Sequence, residues 1–288
     1  MVRANVRATV VGFAAATVVF AVLFTFAGVD DLLATLRAAD TRAVALVVVA
    51  TVGWLLAWAV SLHTVLGVLG VGCSYPSAFL LFSGATFANN VTPFGQAGGE
   101  PITAFLISRV TDAEYERGLA AIASVDTLNF VPSITIALLG AGYFATEVAL
   151  GANRSVLVAV GGVVGLAVVV PSLVYLGWRR RYGLEARIVD GLTPVIRVLA
   201  RRLPRVPVPT PEGIENRIDG FFRAIERVAA NPRQLAVALA ASTAGWLCQT
   251  LALRVAFAAI GVRVPPSVVF VVVPLGPIAG ATPLPGGA

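Results

Sequence analysis

Asn89, Asn90, Thr92, Gln96 and Glu100 fall within one short stretch of a very apolar chain. Four neutral hydrogen-bonding side chains and a carboxylate can bind a polar headgroup, hold a proton or cap a helix. Pro93, Gly95, Gly98, Gly99 and Pro101 are interleaved with them. Pro93 and the glycines interrupt helix continuity, and Pro101 suits the first turn of a new helix. The stretch therefore reads as a broken or re-entrant segment. Backbone freed at membrane depth is tolerated only where protein or a water-filled cavity surrounds it.

A helix opening at Pro101, beside the loop Gly95–Gly99, presents unpaired N–H groups that suit an anion such as a lipid phosphate. Asn89, Asn90, Thr92 and Gln96 could bind the rest of a headgroup. Glu100, at the same helix start, competes with a phosphate. It could instead pair with an arginine, take a proton or bind a cationic headgroup. Asp126 lies in the following span, with Asn129 one turn on, and could face Glu100 or Arg109 across the hairpin. The plainer reading is that amides and glycines let two broken helices pack closely, with Glu100 as a cap and Asp126 as a packing group.

Other chemistry is poorly supplied. One histidine, His63, and two distant cysteines, Cys73 and Cys248, do not make a zinc or haem site. Both thiols read as packing groups. No nucleophile–base pair or nucleotide loop is present, so no enzymatic activity, cofactor or nucleic-acid partner is expected.

The stretch has an echo. Thr282, Pro283, Pro285, Gly286 and Gly287 stand in Thr282-Pro-Leu-Pro-Gly-Gly, 190 residues after Thr92-Pro93. The same offset carries Pro76-Ser77 onto Pro266-Ser267, and Gly53-Trp54-Leu55 recurs as Gly245-Trp246-Leu247 at an offset of 192. Three landmarks in one order suggest an internal repeat. Gly/Pro-interrupted apolar segments at matching places in two halves point to a transporter's site.

The elements that must hold these residues follow from composition. The chain has 288 residues, 58% hydrophobic and 12% charged, against about 25% charged in a soluble domain. The fold class is thus an all-α integral membrane bundle, a single transmembrane domain over residues 1–288 with two broken segments. Ala8–Ala27 is a first span, with no signal-peptide character. Val29–Arg42 is a short amphipathic piece with Leu32, Leu33 and Leu36 on one side. Further spans are Ala43–Leu62, Leu119–Phe144, Ser155–Trp178 (kinked at Pro171) and Leu235–Leu253. Between them lie a turn at Gly70–Ser74, arms at Pro76–Ala88 and Pro101–Ser108, and a charged turn at Arg109–Arg117. Val264–Ala288 is an uncharged run broken by Pro274, Pro277, Pro283 and Pro285. His63 and Arg254 read as interfacial side chains ending their spans. Trp54, Trp58, Trp178 and Trp246 read as core or interface-belt residues.

All 21 basic residues are arginine. Residues 179–233 carry twelve of them against six acids, which is the whole net charge of +6. By the positive-inside rule this insertion is cytoplasmic, as is the N-terminus. Ile214, Ile218, Phe221, Phe222, Ile225 and Val228 repeat at helical spacing within it, with Arg217, Arg223 and Arg227 off the stripe. That pattern fits a helix on the anionic inner leaflet or one packed on the end of the bundle. The alternation of spans then makes Pro76–Ser108 re-entrant from inside and the second copy inverted.

Asn89-Asn90-x-Thr-Pro-Phe-Gly-x-x-Gly-Gly-Glu100, the later Thr282-Pro-x-Pro-Gly-Gly and Ala39-Asp40 together resemble a known family. It is the flippase-like membrane domain of lysylphosphatidylglycerol synthases, with its stand-alone relatives of UPF0104 type. The resemblance implies a multi-pass cell-membrane protein that moves or binds a lipid with a charged or glycosylated headgroup. Synthase activity is not carried over, because the soluble transferase domain is expected to be absent here. Where the family has Glu-Arg after the hairpin, this chain has Asp126-Thr127. Its second motif normally runs on to a glutamate, so a C-terminally truncated chain is expected. The alternative functions are an accessory subunit of a glycosyltransferase or lipid synthase, docked through residues 179–233, and a headgroup-modifying enzyme using Glu100 and Asp126.

Overall fold

The computed structural model describes residues 28–92, 96–148 and 226–279, together with residues 17, 21, 25, 165 and 223. The expected spans Ala8–Ala27 and Ser155–Trp178, nearly all of the basic insertion, and Pro93 lie outside the described residues, as do Thr282, Pro283, Pro285, Gly286 and Gly287.

Among the described residues there are helices and turns and no strand. In chain order the helices are α1 (Val29–Ala38), α2 (Thr41–Val68), α3 (Tyr75–Val91), α4 (Gln96–Thr111), α5 (Tyr115–Val148), α6 (Pro232–Ala259) and α7 (Pro266–Ala279). Thr41–Val68, Tyr115–Phe144 and Pro232–Ala259 are long and apolar enough to cross a membrane. At 17 and 16 residues, α3 and α4 fall short of the roughly 20 that a spanning helix needs.

The helix ends have local causes. Asp40 caps α2 by accepting from the Arg42 N–H at 2.9 Å, and its own N–H donates to Ala259 O at 3.0 Å. The Ala39-Asp40 pair thereby ties the start of α2 to the end of α6. Ser74 caps α3 through the Ser77 N–H, with Pro76 in the first turn. At the far ends, Gly70 and Gly261 take left-handed backbone, φ 73° and 78°. The N–H of Val71 then returns to Leu66 O, and that of Val262 to Phe257 O, both at 2.9 Å. Each is a six-to-one closure that satisfies an orphan carbonyl of the last turn. This is why α2 passes Leu62, its expected end, and stops at Val68. His63 is therefore inside the helix and stacks on Tyr75, ring centroids 3.9 Å apart, rather than reaching for the interface.

α2 and α6 run antiparallel along their whole lengths: Asp40 meets Ala259, Gly53 meets Cys248, and Trp58 meets Ser242. In lipid, helices associate through close van der Waals packing and small interfacial residues, and this seam shows it. A Cβ on Gly245 would run into the Trp58 indole. Gly245→Ala is accordingly expected to destabilise the bundle by about 1–3 kcal/mol, the usual cost of overpacking, read as a lower unfolding midpoint in detergent.

The core forms where α2, α3, α5 and α6 meet, around Trp58, Leu62, Phe82, Val125 and Trp246. Trp58 sits edge-on to Trp54, Phe82 and Trp246, with centroids 5.4–5.6 Å apart. These tryptophans are core rather than belt. Val228 joins the same core, while Arg223 and Arg227 are exposed. α5 carries Pro132 inside it, and that proline is buried. α7 lies against the second half of α5, where a Cβ on Gly140 would stand 2.6 Å from Phe270 Cβ. It remains helical through Pro274 and Pro277, where a break was expected. On α1, Leu33 and Leu36 are exposed.

Candidate functional site

α3 and α4 form an antiparallel hairpin. Gly84 lies opposite Leu106, and Asn89 lies opposite Gly99. Its open ends, near Tyr75 and Thr111, are therefore together. The helix expected to open at Pro101 begins five residues earlier, at Gln96, and carries Pro101 inside it. Gly98 and Gly99 belong to its first turns rather than to a loop. Pro101 has no N–H to offer the Ala97 carbonyl, so that one helical hydrogen bond is missing near the tip.

Gly99 is needed here for space. A Cβ at this position would collide with the Asn89 amide oxygen and come within 2.8 Å of the Asn89 backbone nitrogen. The two helices touch backbone to backbone at that point. Thr103, fully buried, donates to Gly99 O at 3.0 Å and closes the next turn.

α5 packs antiparallel against α4. Gly118 faces Ala104 and Ile107 near the open end, where a Cβ would stand 2.8 Å from Ala104 O. Further along the same antiparallel seam, Glu100 on α4 and Asp126 on α5 are neighbours. Asp126 lies 11 residues into the 34-residue α5, or about 16 Å at 1.5 Å per residue. The hairpin tip thus ends partway along a helix that continues well beyond it.

Asp126 Oδ2 is closed off from solvent and has no partner, as are Asn89 Oδ1 and Asn129 Nδ2. Buried polar atoms without partners are rare. Three of the eight such atoms among the described residues lie on the hairpin tip and the adjoining face of α5; the others belong to Trp54, Ser61, His63, Ser83 and Ser124.

Asn129 anchors a second set of contacts. It is 5% exposed, and its Oδ1 accepts from Ser242 Oγ. Trp246 Nε1 donates to Asn129 O at 3.0 Å, and Trp58 Nε1 donates to Ser242 O at 3.1 Å. One asparagine and one serine thus join α2, α5 and α6 directly behind the carboxyl pair. Ser242 carries no motif and its partners are 113 and 184 residues away in sequence, so only the fold exposes its part. Asn129→Leu removes the acceptor for Ser242 in a nearly dry interior. It is expected to cost about 1–3 kcal/mol and lower the detergent unfolding midpoint, while Ser242→Ala in the same background adds little.

The remaining candidates are placed as follows. Asn90 is exposed and its Nδ2 donates to Thr86 O at 2.8 Å; Thr92 Oγ1 donates to Ala88 O at 2.7 Å. Arg109 stands in the last turn of α4, exposed, its guanidinium 5.1 Å from the centre of the Phe105 ring. Arg117 pairs with Glu114 at 3.4 Å in the exposed turn. No arginine forms an ion pair with Glu100 or Asp126 among the described residues. No group of His, Cys, Asp and Glu suited to a metal ion occurs among them either. Cys73 and Cys248 are free thiols, and burial pushes the Cys73 thiol up, which makes it a poor nucleophile.

Three span-length helices and a hairpin of two shorter ones define an all-α integral membrane protein. The chain belongs to the family described as the lysylphosphatidylglycerol synthase TM region, which matches residues 9–288. Over 140 residues it is 33% identical to a UPF0104 membrane protein of Methanothermobacter thermautotrophicus, a stretch covering 49% of this chain and 40% of that relative. No solved structure matches it.

Proposed function

We propose that the protein moves a membrane lipid between leaflets, holding its polar headgroup at the tip of the α3–α4 hairpin. The observation that carries this reading is the Glu100–Asp126 pair. Ionisable groups within a membrane bundle are costly and mark substrate or ion paths. Here Glu100 follows the break between two short helices and Asp126 stands on the neighbouring α5, with buried polar atoms of Asn89 and Asn129 that lack partners. The headgroup class that suits the site is charged or glycosylated. On this reading the N-terminus and residues 179–233 face the cytoplasm of a cell membrane, and the hairpin enters from that side.

Reading the two halves as an inverted repeat fits the same mechanism. α2 and α6 are antiparallel, end in the same glycine closure, and lead after short connections into α3 and α7, each with a proline in its first turn. Two inverted units of this kind allow a site to be opened to either face in turn.

The test is purified protein in liposomes carrying labelled anionic, zwitterionic and glycosylated lipids. Leaflet exchange without any covalent change in the lipid is the expected result. A modified lipid would support a headgroup enzyme. Neither exchange nor product from protein that folds and binds a glycosyltransferase or lipid synthase would support an accessory subunit.

A further inference from the structure

We propose that the open end of the α3–α4 hairpin carries a docking site for an anionic phospholipid, with Arg109 on the phosphate and the outward stripe of α4 along an acyl chain. Which leaflet supplies the lipid rests on the placement of the hairpin proposed above; the site itself does not.

α4 has two distinct faces. Thr103, Ala104 and Ile107 are fully buried against the bundle. Ile102, Phe105 and Arg109 are exposed and stand at i, i+3 and i+7, which is one stripe of a helix. The stripe is apolar from near the tip and ends in a guanidinium at the open end. On the other arm Leu80 and Phe87 are exposed as well. In a membrane such surfaces meet acyl chains.

The direction of Arg109 matters most. A helical side chain leans towards the N-terminus of its helix, and the N-terminus of α4 is the hairpin tip. Arg109 therefore leans into the membrane. Its guanidinium carbon lies 5.1 Å from the centre of the Phe105 ring, one turn nearer the tip, within the cation–π reach of about 6 Å. An arginine that merely snorkels extends its head to the aqueous side. This one holds its head over an apolar ring that is itself 48% exposed.

The depth is that of a headgroup. Tyr75, 62% exposed at the start of the other arm, is placed as interface-belt tyrosines are. Arg109 precedes the last residue of α4, Thr111, by two residues, or about 3 Å of helix. A guanidinium at that level matches the paired oxygens of a phosphate. Arg117, at the same end, is engaged with Glu114 at 3.4 Å. A phospholipid with its phosphate on Arg109 and a chain along Phe105 and Ile102 satisfies the charge and the apolar stripe together. A zwitterionic lipid brings its own cation to the phosphate, and a soluble phosphate has no chain for the stripe.

Native mass spectrometry of the whole protein in detergent, titrated with phosphatidylglycerol and phosphatidylcholine of matched chains, tests this. Wild type is expected to bind phosphatidylglycerol the more tightly. Arg109→Gln should lose about 5-fold in phosphatidylglycerol affinity, the effect of one arginine facing anionic lipid, and little for phosphatidylcholine. Arg117→Gln removes the same charge from the same end and should bind as wild type does. Both arginines are exposed, so neither change threatens the fold. Glycerol phosphate, a headgroup without chains, should not displace the lipid. Equal affinities in wild type and Arg109→Gln overturn the site. Equal losses in Arg109→Gln and Arg117→Gln also overturn it, because general charge attraction would then suffice. Displacement by glycerol phosphate overturns the lipid occupant in favour of a soluble anion. Leaflet exchange plays no part in these readings: its absence from liposomes, with the binding pattern intact, counts against the transport reading alone.

Discussion

Glu100→Gln, reconstituted in liposomes, is expected to lose leaflet exchange by about two orders of magnitude while keeping the wild-type unfolding midpoint. Glutamine has the same size and can donate to a neighbouring carboxylate, so the packing of α4 on α5 at Gly118 and Ala104 is kept. It cannot take up or give away a proton, and it cannot balance a charged headgroup. A buried hydrogen bond to a charged group contributes about 1.5–3 kcal/mol, and each 1.36 kcal/mol changes a rate tenfold, which sets the size of the loss. Wild-type exchange by a folded Glu100→Gln protein would remove Glu100 from the site. A collapse in stability would instead make the pair a packing device.

The second large effect is structural. Gly99→Ala places a methyl group against the Asn89 amide oxygen and 2.8 Å from the Asn89 backbone nitrogen. The amide can swing away, but the backbone of α3 cannot yield without opening the hairpin. Destabilisation at the upper end of the 1–3 kcal/mol range for overpacking is expected. Because Glu100 follows immediately, the same change moves its carboxyl relative to Asp126, so exchange should fall with stability. Gly84→Ala is the matched control. Its Cβ would meet only Leu106 Cδ1 at 3.3 Å, and a leucine tip can rotate aside. Equal loss in both variants would mean that the tip geometry carries no special constraint.

Much of this arrangement was legible in the chain. Composition gives the membrane class, and Pro93 with its glycines marks the break between α3 and α4. Asp126 in a span that follows Glu100 already suggests that the two could meet. The cap at Asp40 and the turn at Gly70 use ordinary local signals.

The misreadings have physical causes. Pro101 looks like a helix start because proline fits the first turn, yet α4 begins at Gln96. Losing one hydrogen bond there is tolerable in a hairpin whose next turn is secured by Thr103 and whose first turn packs against Asn89. His63 looks interfacial because polar residues end spans, but the Gly70 closure extends α2 and places the ring on Tyr75. Pro274 and Pro277 look like breaks, yet α7 passes through both while packed on α5. Arg109 was a partner for the carboxyls by proximity in sequence. Nine residues of helix separate it from Glu100, and it sits on Phe105 at the open end. The Asn129–Ser242–Trp58 connection has no local signature at all, since its members come from three distant helices.

The central claim is that the α3–α4 hairpin enters the membrane and returns without crossing it. The most direct measurement is sided labelling of single cysteines at Tyr75, Gln96 and Thr111, in a chain with Cys73 and Cys248 replaced. The expected result is labelling of Tyr75→Cys and Thr111→Cys from the same face, and of Gln96→Cys slowly or only during turnover. Labelling of Tyr75→Cys and Thr111→Cys from opposite faces would contradict it, because the hairpin would then cross and the carboxyl pair would no longer lie at a re-entrant tip.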